Sequence, residues 1–443
     1  MRNTWSAILF LAAWPLGQAG AETLNFRQCT EAALSQNPDM AISRAQIEQA
    51  EAAVREAKGN RMPRLNLALT ASRTDDALNV FGAKLTQRRV LPADMHHLTL
   101  NHPGAINNFN SRIELLIPVY NGGQVESYVR QAQALTRAAQ SGDRLARQKL
   151  VKQVLMAYQG VHTARAYIKV ASEGRAAAEE VVRITEKLHK QGMAVKSDIL
   201  SARVNLEDMR IKLTEARNAE ATALDQLKLL MGRPLSASVE VADPIAPTLM
   251  TGDDAALHKQ AVEAHPGLRA LREQVDAAHA AVEAVRAGKR PQFNVSLRQE
   301  WNDRTLGFDS NAYMMAGVLS WNAFDGGTLQ AGIDRAEARR SELAAKLRQT
   351  EDGIRFQATD ARRRALEAEE RAAVRQLSVE QAGEARRLVK MRYENGVAPL
   401  VELLSAQAQL DKTRADLVAA HYDLAVTRAE LKLAVGVLDP EQI

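Results

Sequence analysis

Cysteine is nearly absent: Cys29 stands alone in 443 residues, so no intrachain disulfide can form. Aromatic residues are scarce too, at 4%, while Ala, Leu, Glu, Gln and Arg dominate. This argues against a thick globular core and points to long helices in coiled-coil arrangement. No stretch reaches eighteen consecutive apolar residues, which leaves no candidate for a membrane-spanning helix. The chain has no phosphate-cradling Gly-rich loop, no H-E-x-x-H and no G-x-S-x-G, and so carries no recognisable catalytic apparatus. A surplus of one charge sign is missing as well. The 58 basic and 53 acidic residues are mixed along helical segments, which reads as solvated helix faces and not as a nucleic-acid footprint.

What is present begins with an export signal over residues 1–21. Arg2 supplies the positive start, "AILFLAAWPLG" the short apolar run, and Ala19-Gly20-Ala21 a small-residue cleavage site before Glu22. Cys29 lies beyond that site after "NFRQ", outside any lipid-attachment box, so no lipoprotein anchor is expected. An exported chain without an apolar helix can cross a membrane only with strands.

The mature sequence is a tandem repeat. Asn37-Pro38 and Pro63 match His265-Pro266 and Pro291 at a constant offset of 228. Beyond the strands the offset is 204: Gly122-Gly123 falls on Gly326-Gly327, Gly192 on Gly396, and Gly232 on Gly436. The difference of 24 residues sits between the strands, where the first half has the longer loop. The first repeat covers 22–240, with strands at about 63–73 and 109–119 and a helical hairpin at about 124–231. A linker at the waist follows over 241–256. The second repeat covers 257–443, with strands at about 291–301 and 312–321 and a hairpin at about 328–435. Along the strands Ile113, Leu115 and Ile117 oppose Arg112 and Glu114, and Phe293, Val295 and Leu297 oppose Asn294, Ser296 and Arg298. Each strand has the roughly ten residues of a tilted membrane strand.

The helices carry heptads. Leu403, Leu410, Leu417, Leu424 and Leu431 interleave with Ala406, Thr413, Ala420, Thr427 and Ala434. The first half repeats this register from Ile199 to Leu230, broken only at Glu220. A sustained 3.5-residue period implies a left-handed supercoil. The helix expected from Gln124 to Lys190 is about 100 Å long at about 1.5 Å per residue. Its hairpin partner covers about half of that, and the helix from Pro38 to Gly59 supplies the remainder. Four strands cannot close a membrane barrel, which needs about eight, and open edges are not permitted in lipid. Two chains would give a barrel nearly filled by side chains, whereas three would give twelve strands around a water-filled lumen.

Three sets of motifs together resemble the TolC-like outer-membrane efflux proteins. They are "ALSQNPDMAISRAQIEQAEAAVREAKGNRMPRLNL", the two strand-to-helix joints "PVYNGGQ" and "FDGGT", and "RYENGVAPLVELLSAQAQL". The resemblance covers about Leu24 to Leu438. It implies a mainly α fold with a membrane β-barrel: a homotrimeric 12-stranded barrel continuous with a 12-helix coiled-coil tunnel crossing the periplasm. By the same resemblance the protein is the exit duct of a tripartite efflux or type I secretion system in the Gram-negative outer membrane. It would dock on a periplasmic adaptor and an inner-membrane transporter, sit in outer-membrane lipid, and use no cofactor. The family's periplasmic gate maps onto Asp198, Tyr393 and Glu402. Its adaptor-docking tips map onto Gly192, Met193, Gly396 and Val397. The arginine that the family's best-known pattern places two residues after the second hairpin glycine is Ala398 here, so the gate must be held in another way.

Met95, His96, His97 and His102 lie in the long first loop, but their spacing matches no standard metal-ligand pattern, so they read as an ordinary solvated loop. A periplasmic coiled-coil scaffold or adaptor would account for the heptads and the export signal. It would leave the four membrane-length strands and the two Gly-Gly joints without a reason.

Overall fold

The computed structural model describes residues 22–442, and the export signal expected over 1–21 lies outside the described residues. In chain order the elements are β1 (Glu22–Leu24), α1 (Phe26–Gln36), α2 (Pro38–Gly59), β2 (Arg64–Thr74), α3 (Ala77–Thr86), α4 (His97–Asn101), β3 (Ile106–Tyr120), α5 (Gln124–Lys190), α6 (Lys196–Leu230) and β4 (Val239–Val241). There follow α7 (Asp254–Ala264), α8 (Pro266–Arg286), β5 (Gln292–Asp303), β6 (Asn311–Ser320), α9 (Thr328–Glu394) and α10 (Leu400–Val435). Among the described residues no helix is long and apolar enough to cross a membrane.

The chain forms two compact units that cut across the repeats. A helical unit takes the residues up to Ile42, Arg144–His265 and those from Gly353, and a sheet unit takes Ser43–Asp143 and Pro266–Asp352. In the helical unit the core gathers Phe26, Cys29, Leu150, Val154, Tyr158, Leu227, Met231 and Ala429. The short parallel pair β1–β4 adds Leu24, Val239 and Val241. The sequence reading had no signal for β1 and β4, because three-residue strands carry too little alternation. It likewise missed α1, which ends at Asn37 because a residue before proline is pushed out of the helical region. Asn37 then serves two helix ends: its Nδ2 donates to Leu230 O at 2.9 Å, and its Oδ1 accepts from Asp39 N at 2.8 Å. Gly232 ends α6 at φ +68, where a Cβ would lie 2.9 Å from Gln36 O. The heptads face inward: Leu403, Leu410, Thr413, Ala420 and Leu431 are buried, as are Ala202, Met209, Leu213 and Leu227. Glu220, which breaks the pattern, accepts from Arg165 Nε on α5 at 2.8 Å and is thus a partnered charge in the seam.

The sheet unit is a four-stranded antiparallel sheet in the order β2-β3-β5-β6, with both edges unpaired among the described residues. Its register sorts the side chains. Leu65 lies opposite Leu115 and Leu67 opposite Ile113. Leu115 lies opposite Leu297, which in turn faces Met315. On the other face Arg112 lies opposite Glu300 and Glu114 opposite Arg298, the latter two joined at 3.1 Å. One face is therefore mainly apolar, interrupted by Ser111 and Gln299, and the other charged and amide-rich. The apolar side chains stand in the open, with Leu67 72% and Tyr313 85% exposed.

The strands run at 64–74, 106–120, 292–303 and 311–320. β3 begins earlier than the sequence suggested because its Asn-rich start, a poor strand former, is held from both sides. Arg73 donates to Asn107 Oδ1, and Asn108 and Asn110 donate to Asn302 Oδ1, all at 3.0 Å. The long first loop, read as an ordinary solvated loop, is instead partly helical: it contains α3, a single 3-10 turn at Pro92–Met95, and α4. Asp76 caps α3 by accepting from Asn79 N at 2.9 Å, a local cap with no periodic signature in the sequence. His96 and His97 are ring neighbours at 4.3 Å, with His97 opening α4 and His102 just past its end. Among the described residues no group of three or more His, Cys, Asp or Glu side chains is placed to hold a metal ion.

Both strand-to-helix joints need glycine. Gly122 and Gly326 share φ +67, while Gly123 and Gly327 are at +85 and +88. Their surroundings within one chain differ. A Cβ on Gly122 would meet Ala287 O at 2.7 Å and Arg290 Cβ at 3.0 Å, whereas one on Gly326 meets nothing within 4 Å. Gly326→Ala should then cost only the left-handed strain of about 1–2 kcal/mol, and Gly122→Ala distinctly more. Thermal unfolding of the two variants checks this. Equal losses would mean that the second joint is covered as tightly as the first once the protein assembles.

Candidate functional site at the helical hairpin tips

The two hairpin turns lie in the helical unit and share one backbone solution. Gly192, at φ +78, lets Met193 N bond Leu188 O at 2.9 Å, and Gly396, at φ +72, lets Val397 N bond Arg392 O at 2.8 Å. The tips are neighbours within one chain, since a Cβ on Gly396 would lie 3.5 Å from Met193 Sδ. Met193, Val195, Val397 and Val401 are exposed apolar side chains at these ends. Beneath them a small core of Val181, Leu188, Ala202, Tyr393, Ala398, Leu400 and Leu403 joins the two hairpins. Ala398 is buried in that core, so the position of the missing arginine is occupied by apolar contact.

The three gate candidates have separate surroundings. Tyr393 is almost fully buried, and its hydroxyl is 2.8 Å from Thr185 Oγ1 on α5. Thr185 donates in turn to Val181 O at 2.8 Å, which leaves Tyr393 as the donor to Thr185. Burial pushes the Tyr393 phenol above its ordinary range, and nearby Asp198 adds to the rise. Asp198 caps its own helix, with Oδ2 accepting from Val195 N at 3.3 Å. Glu402, at the matching position in the second hairpin, pairs with Arg392 at 2.6 Å. Asp198 thus acts on Tyr393 through its charge, while Glu402 is engaged within its own hairpin.

Sequence reasoning missed the polar links above the tips. Glu180 on α5 accepts from Lys390 on α9 at 2.5 Å, with Arg386 at 3.7 Å. Arg386 donates to Gln407 Oε1 at 2.8 Å, and Gln407 Nε2 donates to Asp411 Oδ1 at 2.9 Å. Arg414 closes back on α5 through Glu173 at 2.9 Å. The hydrogen bond from Lys390 holds the Glu180 carboxyl below its usual range, whereas burial pushes Asp411 up. The four-residue spacings Arg386/Lys390 and Gln407/Asp411 were visible as helix-face pairs. That Arg386 and Lys390 face Glu180, some two hundred positions away in the chain, was not.

The chain has relatives in sequence and in fold among known proteins. The chain is 28% identical over 318 residues to Protein CyaE of Bordetella pertussis, covering 70% of this chain and 66% of that one. It is 25% identical to the alkaline protease secretion protein AprF of Pseudomonas aeruginosa, covering 75% and 70% respectively. The crystal structure of the Campylobacter jejuni CmeC outer membrane channel shares its fold, with a TM-score of 0.79 at 18% identity over 93% of this chain and 85% of that one. A family profile described as "Outer membrane efflux protein" matches residues 30–233 and 257–437. The chain therefore belongs to the outer membrane efflux protein family, the efflux channels of the Gram-negative outer membrane that reach into the periplasm.

Proposed function

We propose that the protein is a homotrimeric exit duct for efflux or type I secretion, built from the two repeats 22–240 and 257–443. In this reading it is a passive conduit, opened when a periplasmic adaptor and an inner-membrane transporter dock. The observation that carries the proposal is the four-stranded sheet with one apolar face, one charged face and two unpaired edges. Lipid tolerates the apolar face but not the edges, so other copies must pair with them. At about 3.3 Å per residue the eleven residues of β2 extend about 36 Å. At the usual tilt this crosses the roughly 25 Å apolar band of an outer-membrane barrel. Exposed Tyr120, Trp321 and Phe324 at the helix-side end, and Phe308 and Tyr313 at the other, suit the two interfacial girdles. A scaffold without a membrane sheet would have no use for such an apolar surface in water.

The duplication supplies the trimer's register. The two strand hairpins have equivalent pairings once the offsets of 228 and 204 are applied. Carrying the β3–β5 pairing through the same offsets sets β6 beside β2 of the next copy, with Leu319 opposite Leu69 of the partner subunit. Exposed apolar residues on α6 (Leu200, Val204, Ile211) and on α9 (Val374, Leu377, Leu388, Met391) are available for the matching seam between copies. AprF, a secretion protein by its printed name, favours secreted protein as one class of cargo.

Two measurements test this reading. Leu69→Cys/Leu319→Cys in outer membranes should oxidise to covalently linked trimers on a non-reducing gel, and the detergent-extracted protein should have the mass of three mature chains. A soluble monomer with no cross-link would sink it. For the gate, Tyr393 and the Glu180–Lys390 link are taken to hold the hairpins together, with Asp198 and Glu402 bracing the start of their own helices, and the exposed Met193 and Val397, beside Gly192 and Gly396, to receive the adaptor. Tyr393→Phe/Glu180→Gln removes about 1–2 kcal/mol of closing interaction and should raise open-channel occupancy in planar bilayers. The folded Glu180 carboxyl titrates below its usual range, so its contribution is complete above that range and is lost as pH falls through the depressed value. Acid should therefore open the native channel, and do so less in Glu180→Gln. Unchanged conductance in the double variant would refute the gate assignment.

A further inference from the structure

The two repeats differ most at one place. β5 and β6 are joined by residues 304–310 alone, whereas β2 and β3 are joined by residues 75–105, which carry α3, the 3-10 turn and α4. This insert leaves and re-enters the sheet at Thr74 and Ile106, at the strand ends farthest along the chain from the long helices. It is braced within itself: Lys84 on α3 binds Asp94 in the 3-10 turn at 2.7 Å, and Val80 is buried.

The face of the sheet on which the insert is anchored decides what it can do. Gln87 Nε2 donates to Asn107 O and to Asn108 Oδ1, both at 2.9 Å. Asn108 and Asn110 both donate to Asn302 Oδ1, and Asn110 and Asn302 are register partners two positions along from Arg112 and Glu300. Gln87 therefore sits on the charged face. Two further links run across the sheet: Ser310 Oγ donates to Gln87 O at 3.0 Å, and Arg88 Nη2 donates to Asn311 O at 2.7 Å and to its Oδ1 at 3.2 Å. Gln87, Asn302 and Ser310 are 2%, 5% and 7% exposed, so the anchor excludes water. Arg88 holds φ +54, a left-handed conformation that is costly for a side chain of its kind and is retained where surrounding contacts over-determine it.

We infer that residues 77–101 form a cap folded inward over the outer mouth of the lumen, one per chain, which sets the size limit for solutes passing that end. The inference rests on the barrel reading above, in which the charged face lines the lumen. An insert lying against lipid would be anchored on the Leu65, Ile113, Leu297 face, whereas the buried links through Gln87 are to the opposite face, to backbone or to the β5–β6 turn, and only the exposed Arg88 reaches a side chain of the other face, Asn311 at the end of β6. The cap is hinged at its two chain connections and latched by Gln87 and Arg88, so weakening the latch should free it without unfolding the strands.

The test uses full-length protein in intact cells. Ser296→Cys places a thiol on the charged face, inward of the cap, and Cys29 is fully buried and silent. The probe is a bulky sulfonated fluorescent maleimide added outside. Labelling of Cys at 296 should be slow in the native background. It should quicken roughly tenfold in Gln87→Ala/Arg88→Gly, the shift expected from losing about two hydrogen bonds. It should quicken at least as much when 78–101 is replaced by a short Gly-Ser turn, and the point variants keep the test valid if that replacement fails to assemble. Equally fast labelling in every background would overturn the cap while leaving the lumen intact. A thiol that stays inert even without the insert, and after detergent extraction, would overturn the barrel reading and the cap with it.

Discussion

Backbone amides and carbonyls cannot be left unpaired in hydrocarbon, and most of this protein's architecture follows from that constraint. A chain with four membrane-length strands has two edges to satisfy, and among the described residues neither is paired. The sheet accordingly presents both edges along β2 and β6, with a lipid-compatible face of Leu, Ile and Met between them. Edge pairing between copies, and with it the lumen, is the resolution proposed here.

The duplication makes that resolution geometrically simple. Two hairpins of equivalent register already pair through β3 and β5, so the same contact repeated between copies continues the sheet without a new kind of interface. The strand-to-helix joints follow the same logic. Gly122 is packed against Ala287 and Arg290 of the second repeat, while Gly326 is open in the single chain, where the proposed assembly would set a neighbour. The departures from symmetry then stand out as additions to the common frame, and the insert between β2 and β3 is the largest of them.

In the helical unit the helices trade core volume for length. Their seams use small residues and isolated leucines, so individual polar links carry a larger share of the specificity than in a thick core. Glu220 with Arg165 and Glu180 with Lys390 are such links, each joining segments far apart in the chain. Partly exposed pairs are individually weak, typically under about 1 kcal/mol. A closure made of several of them can be both held and released, whereas a wholly apolar seam would lack such a release.

The sequence by itself determined the repeat, the long helices, the four strands, their two faces and the glycine joints. Each of these is a local property: period, proline and glycine placement, and alternation act over a few residues. It also carried the resemblance that the family match bears out. What only the tertiary structure decided depends on pairs distant in sequence. Ala398 could be read as a missing arginine, but that it fills an apolar core with Leu188 and Leu403 could not. Tyr393 could be placed near a turn, but its bond to Thr185 required the two hairpins to be brought together. The short pair β1–β4, the cap of Asp76 and the anchoring of Gln87 were likewise illegible, because three-residue strands, single caps and one glutamine carry no period. Their positions are set by side-chain contacts and hydrogen bonds that exist only once the chain has folded.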